Sequence, residues 1–307
     1  MGISCEETLD CFKSDDLIGL GMEADAVRRR LHPEGVVSYT VCGRIDPRTS
    51  GESAILAEIG KAASMGASSI TLCSERTETI EQMELLLRAI KSHFPSLWLH
   101  CFSAGEIQSL AQRSGLTLYD TIARLRDAGL DSIPGDVVSL DDATAGVLGE
   151  TGSNGWFDVH RTAHRLGLPT TACMVFGQGE TLEQRVSYLE ALRGLQVQTG
   201  GFTAFSLRAF VPRAAGPRVI EEPTAVEYLK MLAISRMVLD NIANIEIDFG
   251  AQGLKVFETC LRFGGNDAGS LPIGGSAATA EQLRQVVRDA GFRPVERDLA
   301  YRTVFLN

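Results

Sequence analysis

The feature that most constrains this chain is a regular alternation of short β-rich segments with longer helical segments. Between the strands, apolar residues recur with helical spacing, as Met83, Leu86, Leu87 and Ile90 do. Strands separated by helices of this length pair in parallel through right-handed crossovers. Such a series of consecutive β–α units predicts an α/β protein with a (β/α) barrel, partial or complete. The predicted strands cover residues 36–42, 69–73, 97–102, 131–134, 170–176, 203–210 and 245–249.

The two ends of the chain depart from this repeat and suggest three regions. Residues 1–35 predict an N-terminal helical segment, which stops at His32-Pro-Glu-Gly because proline and glycine interrupt helices. Residues 36–275 would form the barrel. Residues 276–307 predict a small C-terminal α/β extension, with a helix near 280–290 and a strand near 298–305. A length of 307 residues fits one barrel with additions.

Composition excludes several classes of partner. The chain has 29 basic and 39 acidic residues, a net charge of −10, which repels phosphate backbones and makes nucleic acid an unfavourable partner. The longest uncharged apolar stretch, residues 166–177, contains Pro169 and is too short to cross a bilayer. Because no membrane segment or signal is seen and the seven cysteines suit reduced thiols, we expect a cytoplasmic protein.

Cysteines end the first three predicted strands, at the edge where barrel enzymes place their chemistry. Cys42, Cys73 and Cys101 could together hold a soft metal or an iron–sulfur cluster. Their spacing matches no standard ligand motif, and no CxxxCxxC occurs in the chain. Free cysteines are usually small buried apolar residues, so the sequence favours packing, with a thiolate metal site as the alternative.

Histidines offer two further candidates. His100 lies at the end of the third strand, where it is equally a site acid or base and a side chain fixed by hydrogen bonds. His160 and His164 have the i, i+4 spacing of a metal pair, but no HExxH accompanies them, so a packing or solvated face is favoured. The chain also lacks GxGxxG after the first strand and any GxSxG, which argues against a dinucleotide fold and a serine hydrolase.

Ordered runs along most of the chain carry a resemblance to a known family. The run Ala26-Val-Arg-Arg-Arg-Leu-His-Pro-Glu-Gly is followed by matching runs at residues 87–91, 100–107, 114–118, 128–135, 161–172, 199–205, 227–229, 239–245, 252–256 and 265–270. Together they resemble the cyclic dehypoxanthine futalosine synthases, radical SAM enzymes of the futalosine route to menaquinone. The resemblance implies a TIM-like barrel of radical SAM type, with S-adenosylmethionine and a [4Fe-4S] cluster as cofactors.

Departures from the family pattern lie at its cofactor site. The CxxxCxxC expected after strand one is missing, and Cys73-Ser-Glu stands where the family has a glycine pair. We therefore expect a cluster-less homologue with no cofactor and no metal: a ligand-binding protein, a partner subunit of a paralogous radical SAM enzyme, or a non-radical enzyme. The alternative is an active cyclase that uses Cys42, Cys73 and Cys101 as an unrecognised thiol set. A thiolate metal-site hydrolase is the second alternative.

Residues that match family motifs or stand near strand ends supply the candidate site. His100 and Glu106 are the candidate catalytic residues, and the expected ligand is a nucleoside or an aromatic acid. Arg208 and Asp248 are new relative to the family, so we expect either an ion pair between them or a ligand carboxylate on Arg208. The candidate ligand-binding residues are Ser103, Asp131, Ser132, Thr181, Arg208, Asp248, Gln252, Asn266 and Asp267.

Overall fold

The structure, a computed structural model, describes residues 2–45, 51–72, 79–135, 153–211, 221–273 and 278–301. Its helices are α1 (Cys5–Lys13), α2 (Leu17–Leu31), α3 (Glu52–Ser64), α4 (Ile80–His93), α5 (Ala104–Ser114), α6 (Leu118–Ala128), α7 (Ser153–Arg165), α8 (Leu182–Thr199), α9 (Ala225–Val238), α10 (Phe249–Cys260) and α11 (Ala280–Asp289). Its strands are β1 (Val36–Ile45), β2 (Ser69–Leu72), β3 (Trp98–Leu99), β4 (Thr170–Phe176), β5 (Phe202–Ala209), β6 (Asn244–Ile247), β7 (Asp267–Pro272) and β8 (Arg293–Glu296).

Side-chain caps fix where many helices begin. Ser4 accepts a hydrogen bond from the Glu7 amide, while the Glu7 carboxylate accepts one from the Ser4 amide. Thr79 and Thr224 form the same capping box at the starts of α4 and α9. Each box satisfies amide groups that the first helical turn leaves unpaired. The starts of these helices are therefore encoded locally.

The strands form a closed parallel ring. Their order is β3-β2-β1-β7-β6-β5-β4, with parallel pairing throughout. Single bridges join His100 to Ser132 and Ile133 to Thr170. These two bridges connect β3 to β4 through residues 132–133, so the ring closes there without a regular strand. The predicted α/β barrel is confirmed.

Alternate residues of each strand face two different environments. Phe205, Leu207, Ile245 and Ile247 belong to the continuous hydrophobic core between strands and helices. Their neighbours in sequence, such as Ser206, point the other way, into the interior of the ring. Leu125, Ile133, Val175 and Phe205 are all buried, with Val175 the most exposed at 7%. The interior of the ring is called the lumen below.

Three strand predictions differ from the structure. Residues 267–272 form β7, which is absent from the predicted strands; Gly269, with a φ of 66°, accommodates the register shift between β7 and β1. Residues 131–134 contribute bridges rather than a strand. The last strand is β8, earlier than the predicted 298–305; residues 302–307 lie outside the described part. No helix of the described residues is long and apolar enough to cross a membrane.

The C-terminal extension joins the barrel instead of standing beside it. Strand β8 pairs in parallel with β1 through residues 36–39, and β2 pairs with β1 further along, through residues 42–45. Arg284 of α11 donates a 2.7 Å hydrogen bond to the Tyr39 hydroxyl of β1. Because β8 pairs with the first part of β1, the residue that follows it, Arg297, reaches Asp267 at the start of β7.

His160 and His164 sit in an aromatic cluster on the outer face of the barrel. His160 is fully buried against Trp156, with ring centroids 3.8 Å apart, and neither of its ring nitrogens has a hydrogen-bond partner within the described residues. Thr199 and Thr170 hydroxyls lie 2.7 and 2.8 Å from the two ring nitrogens of His164. The favoured packing interpretation fits this arrangement, since both nitrogens of His164 are engaged by hydroxyl groups and not directed at a shared metal position.

The neutral state of these histidines predicts a loss of stability in acid. Burial lowers the pKa of His164 to about 4 and lowers that of His160 well below its ordinary value, whereas the pKa of histidine in an unfolded chain is about 6.5. The unfolded chain therefore takes up protons first as the pH falls. Between the unfolded-state and the folded-state pKa of each histidine, the unfolding free energy falls by about 1.4 kcal/mol per pH unit. Above the unfolded-state pKa, the contribution of these histidines to the unfolding free energy does not change with pH.

Urea unfolding at several pH values between neutral and mildly acidic measures this slope. His160→Leu should flatten it, because leucine binds no proton. His93→Gln, on the exposed face of α4, serves as the matched control and should keep the wild-type slope. An unchanged slope in the His160→Leu protein would contradict the assignment.

Candidate functional site

Polar side chains line the lumen, the place where barrel proteins bind ligands at the strand ends. Arg44, at the end of β1, is exposed, and Arg208, near the end of β5, is also exposed. Glu246 of β6 lies between the outward Ile245 and Ile247 and is partly buried. A groove between α7 and α8 also exists, but it lies on the outer surface and holds none of the predicted site residues.

A buried ion pair lies in the lumen where β7 begins. Arg297, just past β8, places Nε and Nη2 at 2.5 and 2.6 Å from the two carboxylate oxygens of Asp267. Both side chains are buried, and the Ser38 hydroxyl and the Gly269 amide also donate to Asp267. Tyr301 stacks on the guanidinium at 3.8 Å from its ring centroid. Asp267 is thus a structural anchor with both carboxylate oxygens engaged.

His100 belongs to a short hydrogen-bonded chain on the wall of the lumen. Its Nδ1 lies 2.7 Å from the Ser132 hydroxyl, which also accepts a 2.6 Å hydrogen bond from the Trp98 indole. Burial, followed by the positive charge of Arg297, lowers the pKa of His100 to about 3. His100 is therefore a neutral group at physiological pH, able to donate and accept hydrogen bonds. The predicted pair His100 and Ser132 is brought together.

Four other candidates serve as helix caps at the strand ends. Ser103 and Glu106 form the capping box of α5, with distances of 2.6 and 3.1 Å. Thr181 caps α8 by accepting a hydrogen bond from the Gln184 amide, and Asp248 caps α10 by accepting one from the Ala251 amide at 3.2 Å. Each cap explains these residue types at these positions without a ligand. The catalytic role predicted for Glu106 stays a prediction.

Asp131 and Asn266 hold the barrel wall together. Asp131 Oδ2 accepts hydrogen bonds from Lys91 at 2.5 Å and from the Leu99 amide at 2.7 Å. Asn266 is buried and accepts hydrogen bonds from Arg236 at 2.7 Å and from the Ile245 amide at 2.8 Å. Both residues have partners that account for them structurally.

Gln252 lies in α10, next to Gly253, whose φ of 77° breaks the helix. Its amide donates to the Asp248 carbonyl at 3.0 Å, while the side chain is partly buried. The ligand-binding role predicted for it stays a prediction.

Arg208 and Asp248 do not form the predicted ion pair. Within the described residues, no nitrogen of Arg208 lies within 4.0 Å of a carboxylate oxygen. The physical reason is that Asp248 is turned toward the α10 amides. The other predicted option, a ligand carboxylate on Arg208, remains.

Sequence reasoning missed Ser206, Glu246 and Arg297. The period of two in β5 and β6 could have found the first two, because each stands between outward apolar neighbours. Burial, followed by the negative charge of Asp267, raises the pKa of Glu246. Arg297 carries no local signal, since its partner Asp267 is distant in sequence.

The thiols form no complete ligand set within the described residues. Cys42 Sγ lies 3.5 Å from the Thr71 hydroxyl, and Cys101 Sγ lies 3.7 Å from the Ile70 carbonyl. Burial raises the pKa of the Cys101 thiol. The described residues hold no group of three histidine, cysteine or acidic side chains placed to bind a metal. Cys73, the third thiol of the alternative, lies outside them.

Comparison with known proteins gives two family matches. The Radical SAM superfamily profile matches residues 38–192, and that of the CofH/MqnC C-terminal region matches residues 215–306. A cyclic dehypoxanthine futalosine synthase from Halalkalibacterium halodurans is 28% identical, over 98% of this chain and 91% of that protein. A 5-amino-6-(D-ribitylamino)uracil–L-tyrosine 4-hydroxyphenyl transferase from Methanothermobacter thermautotrophicus is 37% identical, over 72% of this chain and 65% of that protein.

Solved structures share the fold. The FeFe-hydrogenase maturase HydG from Carboxydothermus hydrogenoformans superposes with a TM-score of 0.72 at 15% identity, over 98% of this chain and 78% of that one. Methylornithine synthase (PylB) gives a TM-score of 0.71 at 12% identity, over 96% and 94% of the two chains. At these identities the likeness supports the barrel alone.

These matches correct the expectation that the protein has no cofactor. Proteins of the Radical SAM superfamily use S-adenosylmethionine and a [4Fe-4S] cluster, and the profile spans β1 to α8, so that expectation is wrong. It rested on the missing CxxxCxxC, which is a property of one loop. The described side chains still do not complete a cluster site, because they supply Cys42 and Cys101 without a third thiol beside them.

Breaking the buried ion pair should destabilise the protein strongly. Arg297→Met leaves the Asp267 carboxylate buried without its counter-charge, which costs about 3–5 kcal/mol in unfolding free energy. Asp267→Asn combined with Arg297→Met should cost less than the sum of the two single changes, because both charges are removed. Chemical denaturation of all three variants measures the coupling.

Arg288→Met provides the surface control for this cycle. Arg288 pairs with Glu281 across an exposed face of α11, at 3.1 Å, so its removal should hardly change the unfolding free energy. Equal losses for Arg297→Met and Arg288→Met would show that the buried pair has no special role.

Proposed function

Because the chain belongs to the Radical SAM superfamily, we propose that it is an enzyme of the cyclic dehypoxanthine futalosine synthase type. The observation that carries this proposal is the match to such a synthase over 98% of the chain and 91% of the relative. The match to the CofH/MqnC C-terminal region, over residues 215–306, supports the same assignment. Its substrate would be dehypoxanthine futalosine, a futalosine derivative without the hypoxanthine base, taken into the lumen.

The lumen residues support binding of such a substrate. His100 and Ser132 provide neutral donors and acceptors on one wall, and Glu246 and Arg208 provide charged groups on the opposite wall. The charges of the buried Asp267–Arg297 pair act on both walls: Arg297 helps to lower the pKa of His100, and Asp267 helps to raise the pKa of Glu246. Polar groups in such a partly buried setting form stronger hydrogen bonds than in water.

In this proposal the cluster would depend on the thiols that end the first three strands. The superfamily cluster and S-adenosylmethionine supply radical chemistry when bound. The chain has no CxxxCxxC, so we assign this role to Cys42, Cys73 and Cys101. Burial raises the pKa of Cys101, and a bound metal ion would favour its thiolate.

Anaerobic reconstitution with iron and sulfide tests the proposal. The wild-type protein should retain about four iron atoms per chain after desalting and show thiolate-to-iron absorbance. Cys42→Ser and Cys73→Ser should each abolish this loading, because a cluster open to S-adenosylmethionine needs all three thiolates. Cys11→Ser, on the partly exposed helix α1, is the matched control and should load iron as the wild type does.

The same samples separate the rival functions. Zinc in place of iron, lost in Cys42→Ser, would favour the thiolate metal-site hydrolase. A wild-type protein that retains neither metal would overturn the proposal and return the chain to a cluster-less homologue. Reductant-dependent consumption of S-adenosylmethionine by the loaded protein would complete the positive result.

A further inference from the structure

Three side chains on one wall of the lumen form a hydrogen-bonded series that ends at His100. The Trp98 indole nitrogen lies 2.6 Å from the Ser132 hydroxyl oxygen, which lies 2.7 Å from Nδ1 of His100. A backbone bridge between His100 and Ser132 sets the spacing of these two residues. Ser132 is 3% exposed, so its hydroxyl depends on protein partners. We name this group the Trp98–Ser132–His100 network.

The first step of the argument is the direction of the two hydrogen bonds. An indole N–H can only donate, whereas a serine hydroxyl has one hydrogen and two acceptor positions. Trp98 therefore occupies one acceptor position of the Ser132 oxygen, and the Ser132 hydrogen cannot point at the indole. Among the described residues, the only other atom hydrogen-bonded to this hydroxyl is Nδ1 of His100.

The second step compares the two neutral forms of the His100 ring. If Nδ1 carried the ring hydrogen, it would donate to Ser132, and the Ser132 hydrogen would have no acceptor in the part of the chain that the structure describes. A buried donor without a partner is costly. If Nε2 carries the ring hydrogen, Ser132 donates to Nδ1 and both hydrogen bonds of the network are satisfied. A ring with hydrogen on both nitrogens meets the same objection as the first form.

The third step concerns Nε2, which lies on the other side of the ring from Ser132. It has no hydrogen-bond partner among the described residues. The charge of Arg297 acts on His100, but no nitrogen of Arg297 donates to the ring. Those nitrogens donate to Asp267, to the Asp298 carbonyl and to Tyr301. His100 is itself partly exposed, so molecules of the size of water reach part of it.

Which nitrogen of a histidine carries the hydrogen is set by the hydrogen bond that the other nitrogen makes. We propose that Trp98 and Ser132 are positioning residues that hold His100 with its hydrogen on Nε2, so that the ring offers the substrate a hydrogen-bond donor and not a base. The partner of this donor would be an oxygen acceptor of the substrate, such as a carbonyl or hydroxyl oxygen. The inference rests on the proposed function in placing the substrate in the lumen, and it adds the role of His100 there.

Long-range ¹H–¹⁵N NMR of the full-length protein, labelled with ¹⁵N-histidine and studied before iron is added, reads the tautomer directly. The His100 signals are those missing from the His100→Gln spectrum. In the wild type, Nδ1 should show the shift of an unprotonated nitrogen and Nε2 that of a protonated one. Ser132→Ala should bring the two shifts together, because the ring then exchanges between both forms. Ser132→Thr keeps a hydroxyl and should restore the wild-type pattern.

Further variants separate positioning from packing. Trp98→Phe keeps an aromatic ring but removes the indole donor, so the Ser132 hydroxyl gains freedom and the shifts should lie between those of the wild type and Ser132→Ala. Ser64→Ala and Tyr119→Phe remove hydroxyl groups from exposed positions of α3 and α6 and are the matched controls. A purely structural role would lower the melting temperature of the network variants without moving the nitrogen shifts of His100.

Dehypoxanthine futalosine tests the contact with the substrate. When the wild type is saturated with it, the Nε2 proton of His100 should move downfield, as a proton does on entering a hydrogen bond, while Nδ1 stays unprotonated.

The inference is overturned if Nδ1 carries the hydrogen in the wild type, if Ser132→Ala leaves both shifts unchanged, or if saturating substrate leaves the Nε2 proton unmoved. None of the tautomer measurements needs iron or S-adenosylmethionine. The wrong tautomer with normal iron loading would leave the proposed function intact, and protein that loads no iron but holds hydrogen on Nε2 would do the reverse.

Discussion

The buried ion pair of Asp267 and Arg297 is the interaction on which the rest of the lumen depends. It joins the β7 wall to the segment after β8. Its two charges are also the fixed source of the local field: Arg297 helps hold His100 neutral, and Asp267 adds to the raised pKa of Glu246. A buried pair with this many hydrogen bonds fixes the position of β7 relative to the segment after β8 as well as contributing to stability.

The lumen differs from a packed barrel interior. Barrels of this kind are usually filled by layers of branched apolar side chains, whereas several inward positions here carry hydroxyl, imidazole, guanidinium and carboxyl groups. The hydrophobic core lies instead between the strands and the helices. The apolar packing thus lies in the outer layer, and polar groups occupy the inner one.

Local patterns predicted much of the fold, and long-range contacts account for what they missed. The strand at residues 170–176 coincides with β4, because its apolar run and flanking turns are unambiguous. Strand β7 was missed, since glycine and asparagine before it signal a turn and its pairing with β1 and β6 makes it a strand. Residues 298–305 were expected to form the last strand, but β8 precedes them, because β1 pairs at residues 293–296.

The site was predicted less well for the same reason. His100 and Ser132 were found through their positions at strand ends, and both reach the lumen. Ser103, Thr181 and Asp248 share those positions but act as helix caps, which also need polar residues directly after strands. The expectation of no cofactor was wrong because it relied on one missing motif, CxxxCxxC, although family-like residues run along most of the chain.

The pairing of β8 with β1 has a consequence for synthesis. Strand β1 is made early, but one of its partners and the counter-charge of Asp267 come from the last part of the chain. While the ribosome is still translating, the nascent barrel therefore carries an open edge and an unneutralised carboxylate in its interior. Domains whose contacts span the whole sequence fold slowly, and their hydrophobic surface and unpaired strand edges stay exposed during folding. The barrel can therefore complete these contacts only after residues 293–297 have been synthesised.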